Sequence, residues 1–82
     1  MGIQITNKEK LFNIGTYLKV SGEPNLYGEI LGVFNSPLGV VYDVYFWNND
    51  LNFHYRTDVF HETILENLEC GYYSICYKNE NF

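Results

Sequence analysis

The chain has 82 residues and a formal net charge of −5, from ten acids against five bases. That length bounds it to one domain, one that buries roughly 60–65% of its unfolded surface and so needs dense packing or a partner. The surplus of acid excludes affinity built on neutralising phosphates with clustered Lys and Arg, so direct nucleic-acid binding is not expected.

Apolar content is ordinary at 46%, but aromatic content is high at 18%, from eight Tyr, six Phe and one Trp. Aromatic residues favour strands, and large rings let a small β domain bury enough area to fold. Charge is unevenly placed. Lys8, Lys10 and Lys19 lie in the first quarter; between Lys19 and Lys78 the only base is Arg56, against Glu23, Glu29, Asp43, Asp50, Asp58, Glu62, Glu66 and Glu69. Such a surplus keeps a chain soluble or attracts a basic partner.

In chain order, MGIQITNKEKLFN (1–13) reads as a mobile arm or a short strand through Ile3 and Ile5. A domain spans 14–77, and a tail covers 78–82. Residues 16–20, TYLKV, alternate as a strand, and SGEPN (21–25) turns the chain. LYGEILGVF (26–34) is a second strand whose Gly28 and Gly32 predict a bulge or sharp coil. NSPLG (35–39) is a turn, with Pro37 blocking continuation.

VVYDVYFW (40–47) is the loudest segment. Its period of two sends Val40, Tyr42, Val44 and Phe46 to one side and Val41, Asp43, Tyr45 and Trp47 to the other. After NND (48–50), LNFHYRT (51–57) alternates as the hairpin partner, with Leu51, Phe53 and Tyr55 on its buried face. DVFHETILENLE (58–69) changes to a helical period, predicting a short helix or 3₁₀ turn that Asp58 could cap. Gly71 ends it, and YYSICY (72–77) is a last strand. Five or six short antiparallel strands with one helical turn predict a mainly β fold, a small barrel or sandwich.

The order GTYLKV, YGEILGV, VVYDVYFW, FHETILENLE resembles the SH3-like barrels, including the Tudor-like and KOW-containing groups. Those also run strand, Gly-bearing strand, long central strand and hairpin, then a short helical turn. The resemblance covers roughly residues 14–77 and carries no function-specific motif. RNA-binding members of such groups are basic, whereas this interior has one base.

Catalytic, cofactor and metal chemistry find no support. His61-Glu62 opens a zincin-like H-E-x-x-H, but Leu65 stands where the second histidine belongs. His54, His61, Cys70 and Cys76 lack zinc-site spacing. Ser21, Ser36, Ser74 and the cysteines have no positioned base beside them. MGIQIT fits the short N-myristoylation pattern at a level chance supplies. The N-terminus lacks a signal-peptide core and no apolar run is long enough to span a bilayer, so a cytoplasmic protein with free thiols is expected. A Cys70–Cys76 hairpin bridge is the alternative.

Fifteen rings exceed what so small an interior holds, so some face outward, and such rings are enriched at binding hot spots. The candidate binding residues are Tyr45, Trp47, Asp43, Tyr17 and Tyr27 with Asp50, Asp58, Glu62, Glu66 and Glu69. Together they predict a non-catalytic, acidic protein-interaction module for a partner with a basic surface. One form is a small inhibitor that occupies a nucleic-acid-binding site on a host protein such as a CRISPR effector, as phage anti-CRISPRs do. The alternatives are a Tudor- or SH3-like peptide reader that cages its ligand between Tyr45, Trp47 and Asp43, and a structural subunit whose aromatic face closes a homodimer.

Overall fold

The computed structural model describes residues 11–22, 26–48 and 52–76. The expectations for residues 1–10, for the tail and for Asp50 lie outside the described residues. Five strands form one antiparallel sheet: β1 (Tyr17–Val20), β2 (Leu26–Ser36), β3 (Gly39–Asn48), β4 (Phe53–Phe60) and β5 (Tyr73–Cys76), with helix α1 (His61–Glu69) before β5. Their spatial order is β4-β3-β2-β1-β5. The sheet is open, with β4 and β5 at its two edges.

The alternation of β3 sets the two faces. Tyr42, Val44 and Phe46 are buried on one side and join Leu18, Val20, Ile30, Ile64 and Tyr73 in the core. Asp43, Tyr45 and Trp47 lie on the other side, hereafter the outer face, and are half-buried. Between Ile30 and Gly32 the register with β3 shifts, so Leu31 is the extra residue of a bulge. The bulge flips the parity of β2: Ile30 before it and Val33 after it both pack on the core. Gly28 is required for packing, because a Cβ there would stand 2.8 Å from Cε1 of Phe46.

The two-residue turn at Pro37-Leu38 is shorter than the segment the sequence predicts, and Asn35 and Ser36 remain in β2. Ser36 Oγ donates to the carbonyl of Gly39 at 2.8 Å and accepts from the Leu38 N–H at 3.2 Å, which ties the hairpin end.

Helix α1 packs on the core face through His61 and Ile64, both buried. Asp58 does not cap it. Residues 58–60 continue β4, and the chain passes from Phe60 in extended geometry straight into the helix, with no side-chain cap. At the other end Gly71 takes a positive φ of 87°, and its N–H reaches the carbonyl of Leu68 at 3.3 Å. This is the usual glycine stop.

The predicted buried face of β4 is only partly covered. Phe53 and Tyr55 stay 40% and 43% exposed; they lie opposite Asn48 and Phe46, toward the end of β3 away from the Tyr42–His61 contact that seats α1.

Candidate functional site

On the outer face, pairing with β2 and β4 brings residues from four strands around Trp47. Cross-strand register sets Trp47 between Tyr27 and His54, and Tyr45 between Glu29 and Arg56. The rings of Tyr45 and Trp47 stack at 5.6 Å with 20° between planes. Tyr27 packs on Trp47 at 5.8 Å, and Tyr17 meets its edge at 6.0 Å and 89°. His54 lies 5.8 Å from Tyr45. Period-two alternation puts these side chains on one face, and the sheet register makes them neighbours.

The four predicted rings therefore form one cluster, with unequal roles. Tyr45, Trp47 and Tyr17 are partly open to solvent. Tyr27, at 5% exposure, is buried beside Trp47 and packs against it instead of offering surface.

Charge around the cluster is mixed. Arg56 donates from Nη2 and Nε to the carboxylate of Asp43, and that bond raises the guanidinium pKa above its ordinary value. The pair is exposed, so it positions the two side chains more than it stabilises the fold. Asp58 stands directly opposite Asp43. The outer face thus carries Glu29, Asp43 and Asp58 against Lys19 and Arg56, a modest acidic surplus.

Glu62, Glu66 and Glu69 are exposed on α1, which covers the opposite face of the sheet. The sequence groups all the acids with the aromatics; the fold separates them. Screening over about 8 Å at physiological salt leaves the helix acids little influence on the aromatic cluster.

A second row of rings escaped the sequence reading. Tyr55 stacks on both Phe53, at 5.4 Å, and Phe46, at 5.3 Å. Phe46 continues to Tyr73 at 6.4 Å, and Tyr73 stacks on Tyr72 at 5.6 Å. Tyr55, Phe46, Tyr73 and Tyr72 line an open groove of about 300 Å³ between β4 and the start of β5. The sequence signal was present as rings at residues 53, 55, 72 and 73, but only the sheet order brings them together.

Cys70 and Cys76 form no disulfide; Cys70 is exposed and Cys76 buried. Among the described residues no group of three or more His, Cys, Asp or Glu is placed to hold a metal ion, and no helix is long and apolar enough to cross a membrane. Comparison with protein-family models, with curated proteins and with solved structures finds no match.

Proposed function

We propose that this chain is a non-catalytic protein-interaction module that binds through the outer face of its sheet. The observation that carries the reading is the stacked, partly exposed Tyr45–Trp47 pair, packed on one side by Tyr27, with Glu29 opposite Tyr45 and Asp58 the next residue on the same face of β4 after Arg56. Rings with polar tips beside carboxylates suit a partner that offers Arg or Lys: the cation stacks on a ring face and reaches an acid. A basic nucleic-acid-binding site on another protein is one such surface, and a small inhibitor of such a site, of the anti-CRISPR kind, remains the concrete form proposed. Affinity capture at low and high salt, with DNA or RNA as competitor, tests it. Binding that weakens with salt and yields to nucleic acid supports the reading; salt-insensitive binding without competition counts against it.

A second reading, an SH3-like peptide reader, draws support from the strand order, from the helix preceding β5 and from the ring-lined groove. Its site shifts from the one the sequence suggests. Tyr45 and Trp47 are nearly parallel and Asp43 is engaged by Arg56, an arrangement poorly suited to a cage, whereas the groove would seat an extended peptide. A peptide array in which Tyr55→Ala with Tyr72→Ala removes binding, and Tyr45→Ala with Trp47→Ala does not, separates the two.

A further inference from the structure

Among the described residues, strand β4 is an edge of the sheet, eight residues long. An edge strand offers a row of backbone N–H and C=O groups to another strand, and proteins usually blunt it with Lys, Pro, a bulge or shortness. The other edge, β5, has only four residues. β4 has no Lys, Pro or bulge and is not short, and the two charges it carries, Arg56 and Asp58, are of opposite sign: its sequence is FHYRTDVF and its register with β3 runs without interruption from Phe53 to Phe60.

The charges along β4 are self-complementary. If two copies lie antiparallel with a two-fold axis through Thr57, Thr57 faces itself, Arg56 faces Asp58, and Tyr55 faces Val59. Each pair shares one face of the sheet, as directly opposed residues must. The opposite-charge pairs and the aromatic–β-branched pairs are both combinations that stabilise a ladder. The pairing also answers a cost inside one chain. Asp58 lies opposite Asp43, like charge against like, and the base beside them, Arg56, is already bonded to Asp43. The second copy brings a second arginine to Asp58.

We infer that β4 is a homodimerisation edge, where two copies of this chain pair antiparallel about Thr57 and extend the sheet from five strands to ten. This does not rest on the partner proposed above. It also differs from a dimer closed over the aromatic face, because an axis perpendicular to the sheet leaves Tyr45 and Trp47 of both copies open on the same side.

Sedimentation equilibrium of the full chain, with circular dichroism to verify folding, tests the inference. The wild-type chain is expected to dimerise below about 1 mM. Asp58→Arg sets a cation against the partner's Arg56 while facing Asp43 of its own chain with a base, so it should give a folded monomer. The exchanged double variant, Arg56→Asp with Asp58→Arg, restores opposite signs across the seam and should restore the dimer. In a Cys70→Ser background, Thr57→Cys should be joined into covalent dimers by a short bis-maleimide much faster than Ile75→Cys on the far edge. A wild-type chain still monomeric at about 1 mM overturns the inference. So does a dimer that Asp58→Arg leaves intact, a folded double variant that stays monomeric, or equal crosslinking at the two edges.

Discussion

The phenol oxygen of Tyr42 lies 2.7 Å from Nδ1 of His61, joining the central strand to the first residue of α1 across nineteen positions of sequence. The same oxygen accepts the backbone N–H of Phe12 at 3.1 Å, and the three rings lie 5.7–5.8 Å apart. Tyr42 is fully buried, so this junction is how a helix without a side-chain cap is fastened to the sheet. Tyr42→Phe keeps the ring and removes the shared partner. It should destabilise the fold by about 1–3 kcal/mol, the cost of a buried polar group left unsatisfied. Urea denaturation reads the loss; an unchanged midpoint would mean the junction contributes nothing net.

Alkaline pH should act on the same residue. Burial raises the phenols of Tyr42 and Tyr73 above their ordinary value of 10.0. A group whose folded pKa is raised holds its proton more tightly when folded. The associated stability is complete below the unfolded value and is lost as pH rises through the folded one. Stability should therefore fall above about pH 10, with these two phenols ionising above the ordinary value while the chain stays folded. Tyrosinate absorbance and urea midpoints between about pH 9 and 11 check both statements, and a flat profile would contradict them.

Gly28→Ala should destabilise the sheet by about 1–3 kcal/mol, the range for an overpacked interior, because the new methyl meets Phe46 at 2.8 Å and Val44 at 3.3 Å. The origin is testable by a double-mutant cycle. Phe46→Leu clears the space, so the two substitutions together should cost less than their sum. Strict additivity would place the cause elsewhere.

Asp58→Asn removes one half of the opposed Asp43–Asp58 pair. In the dissociated monomer, well below about 1 mM chain, relief of this directly opposed like-charge pair should raise stability by roughly 0.2–1 kcal/mol at low salt, and the gain should shrink as salt screens the wild-type repulsion. Thermal unfolding of both chains across a salt series decides it. A destabilised dilute monomer would show that Asp58 has an attractive partner within its own chain.

Much of this arrangement was legible in the sequence because β3 alternates without a break. Val40, Tyr42, Val44 and Phe46 could be assigned to the core from period alone, and Asp43, Tyr45 and Trp47 to the other face. The bulge beside Gly32 was legible too, since two glycines interrupted a strand pattern. The start of α1 was not. Asp58 looks like a cap when only local chemistry is read, yet the ladder with β3 holds residues 58–60 extended, and tertiary pairing overrides the local preference.

The site was legible in composition but not in arrangement. Counting acids along the chain cannot say that Glu62, Glu66 and Glu69 lie on the far side of the sheet from Trp47, nor that Tyr27 is covered while Tyr55 is not. Those facts follow from which face the helix packs on and how far along the sheet it reaches. Glu29 and His54 next to Tyr45 were missed for the same reason: they become its neighbours only through the β2–β3–β4 register.

The central claim is that the outer-face pair of Tyr45 and Trp47 is a contact surface and not a packing element. The most direct measurement is quantitative affinity capture with the wild-type chain and with the Tyr45→Ala, Trp47→Ala double variant, each first shown to be folded by circular dichroism and urea denaturation. The prediction is a variant that folds with a similar midpoint and retains none of the partner that the wild-type chain holds. A variant that unfolds, or one that captures the same partner equally well, would contradict it.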